Sequence, residues 1–241
     1  MSDKFSFSEK KLIEEFQLKA KKDKLGKNLE FTSANTDVSG SFEVTGSFTL
    51  EGDAVITGSL KVSGSGGHDI SLSNNDLGTS NTIFGKNAGA NIDAGSNYNV
   101  FVGENVSDAA MNDAINNVGI GYQALSALTT GDHNVAVGKG ALISLTTGNN
   151  VIAIGRTAGN AATTASGSVF IGNEAAYSVT TGNMNIAIGH DAMNGGTTIG
   201  DNNIAIGYKT GDALTSGYNN VLMGINAGGA INTGIGNTIL G

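Results

Sequence analysis

The chain contains no cysteine, no proline and no tryptophan, and only 14% of its 241 residues are charged. Without cysteine there is neither a disulfide framework nor a thiolate metal site, and the redox compartment stays open. Without proline a collagen-like reading is excluded, although 37 residues are glycine. Long apolar runs are missing as well: none reaches membrane-spanning length. The start, MSDKFSFSEKKLIEEF, has no apolar core of the signal-peptide kind. Synthesis in a cytosol, with no export signal and no membrane insertion, is the expectation.

Positive charge is scarce beyond the first residues. Residues 1–30 hold eight of the thirteen Lys/Arg beside six acids, whereas residues 31–241 carry five basic and fifteen acidic side chains, a net of −10. Such a body repels phosphates, so nucleic acid is excluded as a partner. The three histidines, His68, His133 and His190, are too scattered to converge on a metal. The acids Asp93, Glu104, Asp108, Asp113, Asp132, Glu174, Asp191, Asp201 and Asp212 recur at no spacing that argues for a shared cleft. Asp132 and Asp201 follow corner glycines and read as turn residues. No calcium-binding nonapeptide and no phosphate loop is written here. No enzyme, no metal and no cofactor is expected.

What is present falls into zones. Residues 8–25 read as a helix, capped by Ser8, with Leu12, Ile13, Phe16 and Ala20 on one stripe. Together with Phe5 and Phe7 they mark residues 1–33 as a docking or attachment segment, the alternative being a short helix packed on its own domain. Within residues 34–66, Gly40, Gly46, Gly52, Gly58 and Gly64 recur every six residues, each two positions after Val38, Val44, Leu50, Ile56 or Val62. That is hexapeptide β-structure, either a single-chain β-helix or three chains wound into a shaft. Five hexads are too few to bury a core alone, which favours three chains. Residues 67–80 form a linker.

Residues 81–241 hold ten copies of one unit, closed by Gly85, Gly103, Gly121, Gly138, Gly155, Gly172, Gly189, Gly207, Gly224 and Gly241 at spacings of 17 or 18. So regular a period predicts a solenoid in which each coil stacks on the next. Positions below are counted from each closing glycine. Position −4 is Asn in all but Val151 and Ser168, and predicts a hydrogen-bonded asparagine ladder. Positions −3 and −1 are mostly aliphatic and are expected to point into the coil.

Position −2 would then point outward. It reads Ile83, Phe101, Gly119, Ala136, Ala153, Phe170, Ala187, Ala205, Leu222 and Ile239, with no polar residue among them. An apolar stripe of that length is rare on a monomer. Ile83, Phe101, Ala136, Ala153, Phe170, Ala187, Ala205, Leu222 and Ile239 are therefore the expected interface between copies. At +3 an alanine column, from Ala88 to Ala227, suggests an enclosed corner. At −7, Gly78, Gly131, Gly148, Gly182, Gly200, Gly217 and Gly234 suggest a second turn with positive φ. Two short strands and two glycine corners per coil follow.

Units such as NNVGIGYQALSALTTGDHNVAVGKGAL and TTGNMNIAIGHDAM resemble the head repeats of trimeric autotransporter adhesins and the related repeats of bacteriophage tail fibres and other virion fibres. The resemblance covers about residues 81–241 and implies a homotrimer of parallel β-rolls. With it, the expected architecture is a mostly β, trimeric parallel β-roll or β-solenoid of ten coils, preceded by the hexad shaft and the short N-terminal α-helix. The start lacks the adhesins' signal peptide, and the end, NTILG, lacks their stalk and anchor barrel. This moves weight to a phage fibre or spike. It would be docked to a virion tail or capsid protein through residues 1–33, made in the host cytoplasm, and directed at a host-surface glycan or protein or serving as a spacer. A chaperone domain cleaved after Gly241 is one account of the abrupt end, and a further protein covering the tip is another. A bacterial surface adhesin is the alternative, and an ice-binding solenoid displaying Thr129, Thr146, Thr163, Thr180, Thr198 and Thr215 is a weaker one.

Overall fold

A three-residue strand recurring every 17–18 residues can satisfy its backbone only on the copies before and after it, and the computed structural model is built that way. It describes Gly78 and Ser80–Gly241. The helix expected at 8–25, the attachment residues Phe5, Phe7, Leu12, Ile13 and Phe16, and the hexads of residues 34–66 lie outside the described residues. The strands are β1 (Thr82–Phe84), β2 (Val100–Val102), β3 (Val118–Ile120), β4 (Val135–Val137), β5 (Ile152–Ile154), β6 (Val169–Ile171), β7 (Ile186–Ile188), β8 (Ile204–Ile206), β9 (Val221–Met223) and β10 (Thr238–Leu240). They form one sheet in strict chain order. Every pair is parallel and aligned position for position, as in Val135↔Ile152 and Ala136↔Ala153. The eighteenth residue of the longer coils leaves this register intact; in the coil closed by Gly207 it is absorbed between Ala192 and Thr198, around Gly195 and Gly196.

The strand alternation is the reverse of the expectation. Position −2 faces inward: Phe101, Ala136, Ala153, Phe170, Ala187, Ala205 and Leu222 are fully buried within one chain, Ile83 nearly so, and Ile239 partly in the last coil. Positions −3 and −1 face outward, half-buried or exposed. The expected interface residues are thus core residues. The physical reason lies in the volumes enclosed by each coil. Where position −2 is small, as in Gly119, Ala136 and Ala187, position +4 is large: Leu125, Leu142 and Met193, all fully buried. Where position −2 is large, as in Ile83, Phe101, Phe170 and Leu222, position +4 is Gly89, Ser107, Ala176 or Gly228. The two positions fill one space between them, and protein interiors tolerate neither void nor overlap there. Ala153 and Gly159 are both small because Phe170 of the next coil fills their gap; a Cβ on Gly159 would sit 2.7 Å from its ring.

One strand per coil is regular; the opposite side is held by row-to-row bonds and by the isolated bridges Val179↔Thr198 and Tyr218↔Ile235 instead of a second full strand. There the backbone N–H of Thr129, Thr146 and Thr163 each donates to the carbonyl of the threonine one coil on, at 2.9 Å, and the hydroxyl follows at 3.0–3.3 Å. The alanine corner is as enclosed as expected: Ala124, Ala141, Ala158, Ala175 and Ala192 are fully buried.

Left-handed backbone recurs in columns. Every residue at −5 has φ between 53° and 67°, and those at +2 and +4 have φ between 45° and 65°. Many carry side chains, Leu125, Leu142 and Met193 among them, for which this region is disfavoured. What holds them is a bond to another coil. The N–H of His133 reaches the carbonyl of Ile115 at 3.0 Å, that of Glu174 reaches Arg156 at 2.9 Å, and that of Leu142 reaches Ala158 at 3.0 Å. The glycines at −7 behave differently from expectation, since none has positive φ. They are glycine for lack of room: a Cβ on Gly217 would lie 2.5 Å from the carbonyl oxygen of Gly234, and Gly131, Gly148, Gly182 and Gly200 are blocked in the same way.

Two polar ladders flank the −5 turn. At −4, each buried asparagine is wired to both neighbours. Asn117 donates Nδ2–H to Asn99 Oδ1 at 3.1 Å and to the Gly131 carbonyl at 2.9 Å, and its Oδ1 accepts from the Asn134 N–H and Nδ2–H at 2.9 and 3.1 Å. The ladder resumes at Asn185 after Val151 and Ser168 interrupt it. At −6 a second ladder runs in the other sense: the N–H of Ile115 donates to Asp132, Asp132 to Asn149, Asn149 to Ser166, Ser166 to Asn183, and Asn183 to Asp201. Asp132 and Asp201, read from sequence as turn residues, are its charged members.

Two outcomes follow. Phe170→Ala should lower stability by about 3–5 kcal/mol, because Ala153 and Gly159 leave nothing to refill the space; a urea melt within 1 kcal/mol or so of wild type would contradict this packing. Asn203→Ala strands the Gly217 carbonyl and the Asn220 amide groups. It should cost roughly 1–3 kcal/mol in the same assay.

Candidate functional site: an apolar sheet face

With position −2 inside, the outward positions of β1 to β10 make two rows down the sheet. Eighteen of these twenty residues are apolar, and the exceptions, Thr82 and Thr238, stand in the end strands. No charged residue enters the rows. Exposure is 37% at Ile152, 41% at Ile154 and 47% at Phe84. Ten strands about 4.8 Å apart make the face roughly 43 Å long. A one-sided sheet normally turns polar residues to water, and a continuous apolar patch of this length marks an interaction surface.

Its two edges differ in charge. All four Lys/Arg of the described region, Lys86, Lys139, Arg156 and Lys209, stand at +1 or +2, on the corner after the strand, together with the acids Glu104, Glu174 and Asp191. The edge before the strand, at −5 and −6, carries Asp132, Asp201 and several asparagines, and no Lys or Arg. Along the +1 corner the side chains meet from coil to coil. Lys86 pairs with Glu104 at 3.6 Å, Lys139 lies 5.7 Å from the centre of the Tyr122 ring, and Arg156 binds Glu174 and, through Nε, Asn173 Oδ1 at 2.8 Å. His190 continues the line, 3.3 Å from Asn173 and edge-on to Tyr208 at 5.6 Å.

Chemistry of other kinds finds little support. Among the described residues no group of three or more His, Cys, Asp or Glu converges on a metal position, and no helix is long and apolar enough to cross a membrane. His68 lies outside the described residues. His133 sits beside Asn116, while His190 Nδ1 lies 3.0 Å from Asp191 Oδ2. The hydroxyls of Thr129, Thr146 and Thr163, which an ice-binding array would need free, are bonded to backbone. The Asp93 carboxylate is held below its usual range. The Ser96 hydroxyl donates to it at 2.5 Å, with further bonds from the Ser96 and Asp113 amides, against an opposing effect of burial. It serves as a corner tie.

Sequence reasoning placed the nine expected interface residues in one column, as the structure does, but on the wrong side of the sheet. The rows it missed are those it had turned inward. Comparison with protein-family models, with curated proteins and with solved structures returned no match.

Because the Asp93 carboxyl is depressed, its charged form is favoured in the fold. That stability is present above the unfolded value and is lost as pH falls through the folded one. Wild type and Asp93→Asn should therefore differ most near neutrality and converge below about pH 4, the usual range for an aspartate. A melting-temperature difference constant from neutral to acid pH would remove the tie.

Proposed function

We propose that this chain is a non-enzymatic structural subunit of a fibre or spike, a homotrimer of parallel rods whose seam is the outward face of β1 to β10. The observation that carries the reading is the pair of apolar rows, eighteen of twenty positions, along one face of the solenoid. Burying them against copies of the same chain removes them from water without any additional partner.

Charge supports a parallel arrangement. When two such faces pack with their rods pointing the same way, the Lys/Arg corner of one lies against the Asp/Asn edge of the other. Antiparallel rods would set the edges that carry Asp132 and Asp201 against each other, and like charges so placed oppose association. The copy number of three rests on the resemblance to adhesin-head and phage-fibre repeats. So does the placement on a virion, docked to a tail or capsid protein through residues 1–33, with the rod projecting toward a host surface. A bacterial trimeric surface adhesin would use the same seam, and export to the cell surface would distinguish it.

The test is absolute mass in solution, by light scattering or native mass spectrometry on the full chain. A species near three times 24.3 kDa is expected. Ile154→Glu combined with Ile188→Glu should reduce it to one chain while leaving the β circular dichroism in place. A wild-type monomer would overturn the seam and the fibre reading with it.

A further inference from the structure

Stacking restricts the enclosed columns of this solenoid, while several outward columns vary from coil to coil, and the one at +1 carries the longest side chains. Position +1 reads Lys86, Glu104, Tyr122, Lys139, Arg156, Asn173, His190, Tyr208 and Ile225, with no residue type repeated in adjacent coils. In the enclosed columns at −4, −7 and +3 the same residue or class returns in most coils. The difference is physical: the −4, −7 and +3 side chains are enclosed, whereas those at +1 project into water, with Tyr122 41% and Tyr208 45% exposed. Long, chemically varied side chains on a rigid repetitive frame are how solenoids present a binding surface.

From Tyr122 to Tyr208 the column is a strip of six rungs: Tyr122, Lys139, Arg156, Asn173, His190 and Tyr208. An exposed tyrosine stands at each end with a lysine beside its ring, Lys139 at 5.7 Å from Tyr122 and Lys209 at 5.6 Å from Tyr208. Between them Arg156, Asn173 and His190 are joined in line by side-chain contacts and so are held in place before any ligand arrives. Arg156 is matched by Glu174 and His190 by Asp191, while Lys139 and Lys209 have ring partners.

We propose that this strip binds an extended polysaccharide bearing carboxylate groups. The rung spacing of about 4.8 Å is close to the length of one sugar in an extended chain, so successive sugars would meet successive rungs. The tyrosine rings offer apolar faces for stacking, the Asn173 amide and the Arg156–Glu174 pair offer donors and acceptors to hydroxyls, and Lys139 and Lys209 take the carboxylates. Aspartates predominate over the rest of the solenoid surface, which confines a polyanion to this corner. The proposal extends the attachment reading above, yet its test does not depend on copy number.

Purified full-length chain is passed over immobilised polygalacturonate and over immobilised dextran, at low and at physiological salt. Lys139→Gln combined with Arg156→Gln is run beside it, as are Tyr208→Ala and a control, Lys10→Gln with Lys11→Gln, in the basic N-terminal segment. Each protein's mass is measured by light scattering, so that loss of association is seen separately from loss of binding. Binding to polygalacturonate and not to dextran is expected, weakened at least about tenfold by the Lys139/Arg156 pair, the scale of one lost charge-assisted contact. Tyr208→Ala should weaken it severalfold, and the Lys10/Lys11 control should leave it unchanged. No binding by wild type, equal binding to dextran, or retention unaffected by the Lys139/Arg156 substitutions would each overturn the proposal, whatever the mass.

Discussion

Everything in this solenoid depends on one requirement: the backbone of each coil must find its hydrogen-bond partners in the coils beside it. A three-residue strand offers too few groups to make a ladder within its own coil, and an unpaired buried amide is expensive. The in-register sheet meets the requirement on one side and the threonine row on the other. At the corners it is met by rotating single residues into the left-handed region so that their N–H groups point along the rod. The local strain is tolerated because nearly every strained residue of the inner coils is tied to a neighbouring coil. The asparagine ladder and the countersense ladder at −6 do with side chains what the sheet does with backbone, and they bracket one of those turns.

How much of this could be read in advance differs column by column. The period, the coil-on-coil stacking, the asparagine ladder and the alanine corner followed from residues that repeat, because repetition is a direct image of stacking; the second strand expected in each coil did not form. The direction of the strand side chains did not. Alternation says that −2 opposes −3 and −1, but says nothing about which set is inside. Apolar character was high in all three, so hydrophobicity could not decide. The deciding signal was in the sequence and is one of volume: Ala136 with Leu142 and Phe170 with Ala176 are compensating pairs, which only a shared enclosed space explains. Positions −3 and −1, by contrast, are aliphatic in nearly every coil whatever their coil-mates are. The glycines at −7 were legible as necessary but not for the right cause, since sequence does not separate a need for positive φ from a need for room.

The same inversion changed the site without dissolving the argument for self-association. A single apolar column pointing outward had been the motive for joining copies. Two such columns now point outward, wider and equally free of charge, with all four Lys/Arg of the described region among acids on one edge, and aspartates without a cation on the other. The surface therefore divides its duties by position. The strand rows are suited to identical copies, the +1 corner to a ligand, and the interior columns to holding both in place.

The uniformity of the coil boundary has a consequence for length. Since the backbone bonds crossing one boundary are nearly those crossing the next, a gene that gains or loses a single coil unit leaves the remaining backbone bonds with partners of their own kind. The rod is in effect a graduated scale whose smallest division is one strand spacing, about 4.8 Å. Reach could be adjusted by duplication alone, in whole divisions, while the register between neighbouring copies, itself marked off in the same divisions, would be preserved.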